Sequence, residues 1–162
     1  MASKRGWGSA VTYNGSIECD QPGALRTEFN SSARCFQTFK FVKTTSSVDI
    51  YNGVLVYGLG GGTIITTIRT AVTRGNPVGI AQNRIDSNSY GWVQVGGIHT
   101  SCLVGLAEET GTEGEVAIAG AAAGVLGTVA LGTAPTYRPV GYFVGGLGSK
   151  AVLLTLIDTR GV

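Results

Sequence analysis

The sequence predicts an all-β protein, a compact barrel or sandwich of short strands with an extended N-terminal arm. Three observations lead there. Glycine fills 26 of 162 positions, threonine 18 and valine 17, a mixture of turn formers and β-branched residues. Charged residues make up only 14% of the chain, too few for the charge-laced heptads of a helical bundle or coiled coil. Short apolar runs recur between glycine and proline turns at roughly 8–12-residue spacing, the rhythm of a sandwich or barrel. Hydrophobic residues at 43% exclude a disordered chain, and the length fits one domain with a real core.

Residues 1–35 differ from the rest and form the expected arm; residues 36–162 form the β-rich body. Nine of the 22 charges lie in residues 1–43, with Pro22 and several Asn, Ser and Gly, and apolar periodicity is weak until Phe36. In Cys35-Phe-Gln-Thr-Phe-Lys-Phe-Val42 the alternation puts Phe39 and Phe41 on one strand face. Val54 to Tyr57 forms a second strand, ended by Gly58-Leu-Gly-Gly-Gly62 as a hairpin turn, and the Thr/Ile-rich run from Thr63 to Val72 is β-prone. Gly75-Asn-Pro77 turns the chain into a strand from Val78 to Ala81. Gly91 to Val95 alternates, with Trp92 as core or subunit contact. Gly96-Gly97 reads as a break before a further strand from Ile98 to Val104. Short strands are expected at 115–119, 124–126, 128–131 and 140–144. The apolar run Ala151 to Ile157 reads as a central strand buried on both faces.

Charge excludes some partners. The net charge is +2 with no basic run, not the footprint that nucleic-acid binding needs. Low charge density instead suggests surface hidden against other subunits. Residues 116–137 carry no charge and hold Gly120-x-x-x-Gly124. Their Ala/Gly/Thr composition with Pro135 suits short strands rather than a membrane helix. Three cysteines, Cys19, Cys35 and Cys102, without a Cys-x-x-Cys, and an N-terminus without an apolar core segment point to free thiols and synthesis in a reducing cytosol.

Signals for chemistry are thin. His99 is the only histidine; Ser101 is its nearest candidate nucleophile, two residues along the same expected strand. His99 and Cys102 are two potential ligands expected on opposite strand faces, which does not make a metal site. Gly58 to Gly62 is followed by neither the Lys-Ser/Thr of a phosphate loop nor a helix. Glu108, Glu109, Glu113 and Glu115 read as a solvated loop, lacking the alternating oxygens of a calcium site. No catalytic residue, cofactor or metal is therefore expected. In the arm, Trp7 suits a partner's pocket. The basic Lys4, Arg5, Arg26 and Arg34, with Tyr13, complete a candidate partner-binding set.

Several strings carry a family likeness: Phe39-Lys-Phe-Val-Lys43 followed by Ile50-Tyr-Asn-Gly-Val-Leu-Val-Tyr57, then Thr73-Arg-Gly-Asn-Pro-Val-Gly-Ile-Ala81, then Tyr90-Gly-Trp-Val-Gln-Val-Gly-Gly97, and finally a Gly/Ala-rich stretch and an apolar closing strand. From about Phe36 onward the chain resembles the capsid decoration, or cement, proteins of tailed bacteriophages; residues 1–35 are unmatched. The resemblance implies an all-β body, a homotrimer seated on the outer capsid, the major capsid protein as partner, no nucleic acid or membrane contact, and no catalytic residues. The protein would then be made in the host cytoplasm and located in the virion, with Lys4, Arg5, Trp7, Tyr13, Arg26 and Arg34 binding the capsid. A phage tail or fibre module is the alternative, and a small hydrolase using His99 a more distant one.

Overall fold

A computed structural model describes residues 14–15, 21–45, 47–59, 63–67, 76–104, 111–120, 122–130, 132–135, 138–144 and 150–156. Every regular element among them is a strand. These are β1 (Asn14–Gly15), β2 (Leu25–Asn30), β3 (Cys35–Thr44), β4 (Leu55–Leu59), β5 (Ile64–Thr66), β6 (Pro77–Ala81), β7 (Tyr90–His99), β8 (Val116–Ala119), β9 (Leu126–Val129), β10 (Gly141–Phe143) and β11 (Val152–Thr155). The fold is all-β, as the composition predicts. No helix among the described residues is long and apolar enough to cross a membrane; the uncharged segment after Glu115 forms the antiparallel pair β8–β9 instead.

Five strands close a barrel. The order β3-β5-β4-β6-β7 returns to β3 through the β3–β7 pairing. Only β3–β5 is parallel within it; the other four contacts are antiparallel. Strands β11, β10, β8 and β9 continue the sheet outward from β7, and β2 adds to the outside of β3.

Strand β7 holds the two halves together. One edge pairs β3 over residues 90–96. The other meets β1 at Gly91, β6 at Val93 and Gln94, and β11 from Gly96 to His99. A ten-residue strand paired on both edges leaves few backbone polar groups to water. Its interior face joins Val93 and Val95 to Val42, Leu55, Tyr57, Ile65 and Ile80 in the main core, which runs on through Ala117, Leu126 and Val152. The opposite face carries a second buried cluster, Phe39, Phe41 and Trp92, backed by Ala24 and Tyr90. Phe41 packs tilted on Trp92 with centroids 5.1 Å apart and stacks on Tyr90 at 5.8 Å. Thus Phe39 and Phe41 do share a face, and Trp92 is core.

Four sequence expectations change. Leu25–Asn30 pairs with β3 along its whole length, so the body begins by residue 25 and residues 25–35 belong to a hairpin rather than to the arm. Gly96-Gly97 does not break the chain: β7 runs through it, with a register shift against β3 between Thr38 and Phe39, a bulge that lets the strand bend. The strand then ends at His99, and the expected strand to Val104 is reduced to a single bridge from Val104 to Leu126. Finally, β11 lies between β7 and β10 but alternates, with Val152 and Leu154 buried and Leu153 and Thr155 exposed. Its outer face is not covered, so its continuous apolar run misleads. Residues 60–62 of the glycine turn and 68–72 of the β-prone run lie outside the described residues.

Gly97, two positions past the residue that the bulge skips, must be glycine. Its φ of +81° lies in the left-handed region, and a Cβ there would collide with the carbonyl oxygen of Phe36 where β3 crosses. Gly97→Ala is therefore expected to cost more than about 2 kcal/mol, from the unfavourable φ and the collision together. Chemical denaturation of the two proteins, compared at equal m-value, measures this.

Candidate functional site

Two exposed features stand out from the closed barrel, and a buried pair, His99 and Cys102, brings two reactive residue types together. The first feature is the β2–β3 hairpin. Its sequence alternates Leu25-Arg-Thr-Glu-Phe-Asn30, which places Leu25, Thr27 and Phe29 on one face and Arg26, Glu28 and Asn30 on the other. The turn is built by Asn30, whose Oδ1 accepts the backbone N–H groups of Ser32 and Ala33, both at 3.0 Å. Its Nδ2 donates to Gln37 Oε1 at 3.1 Å, and the buried Gln37 donates in turn to the Ile98 carbonyl at 2.6 Å. These bonds fix the hairpin to β7. On its outer face Phe29 and Phe36 meet edge to face, centroids 5.3 Å apart. Leu25, Phe29 and Phe36 are 54%, 60% and 67% exposed, with the hydrogen-bonded Thr27–Thr38 pair between Leu25 and the two rings on the same face.

The second feature is a polar cluster around Asn14 and Asp86. Asn14 donates from Nδ2 to Asp86 Oδ2 and accepts the Asp86 backbone N–H on Oδ1, each at 2.9 Å. Arg84 bridges Asp86 at 2.6 Å and Asp49 at 2.9 Å, and its guanidinium lies 5.5 Å from the Tyr51 ring centroid. Hydrogen bonding from Asn14, then from Arg84, holds the Asp86 carboxyl below the usual carboxylate range. The side-chain bond to Asp86 pushes the Arg84 guanidinium up. Thr44 secures the same loop: its Oγ1 donates to the Asp86 carbonyl at 2.7 Å and accepts the Ser89 N–H at 3.0 Å. The cluster pins Asn14 and Gly15 to the start of β7.

In the buried pair, the end of β7 at His99 lets the chain turn back, so the two side chains meet instead of facing apart: Cys102 Sγ lies 3.5 Å from His99 Nδ1. Nδ1 accepts the Ser101 N–H at 3.2 Å, and Nε2 faces the Ala81 carbonyl at 3.4 Å. Both bonds suit a neutral ring protonated on Nε2. Burial lowers the His99 pKa to about 4 and raises that of Cys102 to about 12. The neutral thiol beside a neutral imidazole is not an activated nucleophile, which requires the thiolate. Among the described residues no three His, Cys, Asp or Glu side chains form a metal site. The pair is a packing element between β7 and β11.

Of the sequence-derived partner-binding residues, Lys4, Arg5, Trp7 and Tyr13 lie outside the described residues. Arg26 sits on β2 with its side chain 11% exposed and ion-paired to Glu28. Arg34 is exposed at the hairpin turn, with φ of 50°. The structure does not join Arg26 and Arg34 into one basic patch: the first is turned into the hairpin and the second caps its tip. Sequence reasoning missed the Phe29–Phe36 pair, although its signal was present in the alternation from Leu25 to Asn30 on one side of an Asn-Ser-Ser turn. Compared with known protein families, curated proteins and solved structures, the chain matches none.

The His99 environment gives a pH signature. Its folded pKa lies below the ordinary 6.5, so the unfolded chain takes up the proton first. Stability is full above about pH 6.5 and falls as pH drops toward 4, by on the order of 3 kcal/mol at the lower end. Urea titrations across this window should show the loss for the native chain and a flatter profile for His99→Gln. Cys102 should resist maleimide reagents until the chain is unfolded.

Proposed function

We propose that this chain is a structural virion protein that binds the outer surface of a phage capsid and stabilises it, as decoration or cement proteins do. The observation that carries the reading is a charge-poor, closed β body that displays large apolar side chains on fixed supports: Leu25, Phe29 and Phe36 on the hairpin, Tyr51 beside the arm root, Tyr142 and Leu153 on β10 and β11. Such a body offers surfaces for association. The likeness of the strings at 39–57, 73–81 and 90–97 to decoration proteins supports the same reading.

In this account the arm supplies the reach. Asn14 and Gly15 are its fixed root on β7, and Lys4, Arg5, Trp7 and Tyr13 precede that root by 1 to 10 positions. An arm that orders on its partner loses entropy on binding but covers a large surface, and pairing with a sheet edge of the capsid protein is one route. Arg34 adds a contact from the hairpin tip; Arg26, already paired with Glu28, contributes mainly to hairpin structure. Three copies, 3 × 16.7 = 50.1 kDa from the chain mass, would occupy capsid threefold positions.

Co-sedimentation with undecorated phage heads tests the proposal. The full chain should bind. Trp7→Ala should weaken binding by about 30-fold, as expected for an aromatic anchor worth ~2 kcal/mol. Lys4→Ala should weaken it by no more than about fivefold, the scale of an exposed ion pair. Deletion of residues 1–12 keeps the Asn14 anchor and should leave the far-ultraviolet circular dichroism unchanged while reducing attachment strongly. Failure of the full chain to bind heads, or label found on tails by electron microscopy of virions, would overturn the head assignment.

A further inference from the structure

We propose that the outer edge of β2 is a self-complementary contact, through which two copies of this chain pair antiparallel about a two-fold axis at Thr27. The contact goes beyond the capsid reading and does not depend on it, because both partners are this chain.

The hydrogen-bond phase of the hairpin fixes which backbone groups of β2 face away from β3. Phe41 N–H donates to the Ala24 carbonyl at 2.9 Å, and alternation along the pair then points the backbone groups of Arg26, Glu28 and Asn30 at β3. The N–H and C=O groups of Leu25, Thr27 and Phe29 are left on the other edge. Among the described residues no strand pairs that edge, and all three side chains are exposed. Edge strands of monomers are commonly blunted by lysine, proline or a bulge. Leu25–Asn30 contains no lysine or proline and pairs β3 in unbroken register.

The order of residues is what selects a second copy as occupant. Placing the axis at Thr27 sets Thr27 opposite itself, Leu25 opposite the partner's Phe29, and Arg26 opposite the partner's Glu28. Apolar meets apolar on one face, and on the other the Arg26–Glu28 ion pair within each copy lies beside its counterpart. The backbone phase agrees, because Thr27–Thr27 and both Leu25–Phe29 pairs are then hydrogen-bonded pairs, formed by the very groups the hairpin leaves unused. The Phe29–Phe36 pair of each copy extends the apolar face across the junction. A shift by one residue would set Arg26 or Glu28 opposite an apolar side chain, so charge and hydrophobicity fix one register.

Position-specific crosslinking tests this in the full chain carrying Cys19→Ser and Cys35→Ser. In the proposed register the two Thr27 Cα atoms lie about 5.5 Å apart, within disulfide range. The two Leu25 Cα atoms, four positions out of step, lie roughly 14 Å apart. On mild oxidation Thr27→Cys should therefore give at least about ten times the covalent dimer of Leu25→Cys. Separately, Thr27→Pro removes only an outward N–H and leaves the hairpin bonds intact. By sedimentation it should halve the mass of an assembly held by this contact, from 2 × 16.7 = 33.4 kDa to 16.7 kDa for a simple dimer. Equal crosslinking at the two positions overturns the proposal. So does a Thr27→Pro chain that is folded and unchanged in mass, or a wild-type chain that sediments only as the 16.7 kDa monomer.

Discussion

The fold depends on β7 being paired along both of its edges. β7 accepts β3 on one side and β1, β6 and β11 in succession on the other, with a bulge at Val95 and a left-handed φ at Gly97. Side chains are small where neighbours cross and large where a core must be filled. Gly91 faces two strands at once, whereas Trp92 and Val93 fill the clusters on either face. Closing β3 onto β7 turns an open sheet into a barrel and removes edges that would otherwise invite aggregation. The same strand carries the second half of the chain, because β11 has no other route into the barrel's hydrogen-bond ladder.

What is left outside this closed unit is where function has room. The hairpin is tied to β7 by the chain Asn30–Gln37–Ile98, and β1 is held by Asn14 through Asp86. Each presents exposed groups while costing the barrel nothing in core packing. The partly charged edge of the hairpin and the aromatic face beside it belong to one element. A single strand can therefore serve a contact with its backbone and with Leu25 and Phe29. The buried His99–Cys102 pair shows the opposite design: two reactive residue types made inert by desolvation and used for packing.

Much of the strand inventory was legible in the sequence, because alternation and glycine turns are local properties. Phe39 and Phe41 on one face, Trp92 in the core and the β4–β5 hairpin all follow from patterns a few residues long. Barrel closure was not legible. The parallel β3–β5 contact and the β3–β7 seam join residues far apart in sequence, and no local pattern encodes which edges meet. Glycine pairs are ambiguous for a related reason: Gly96-Gly97 lies inside a strand here, next to the bulge at Val95, and would serve a turn elsewhere. The apolar run at residues 151–157 predicts burial on both faces, yet nothing covers Leu153 and Thr155 among the described residues, so a strand of central position has an open face. Of the candidate site, the arm's aromatic and basic residues were readable as composition. The exposed Phe29–Phe36 pair needed the register of the hairpin.

Native-state hydrogen exchange of β7 tests most directly whether this strand is the constraint on which the rest depends. The backbone amides of residues 91–96 should exchange only by global unfolding, with opening free energies equal to the stability measured by denaturation. Amides of the outlying β8–β9 pair and of β2 should open at lower cost, without releasing β7. Exchange of residues 91–96 at the rate of β9, or ahead of it, would contradict the account, since the barrel would then be opening at its seam while its periphery stayed closed.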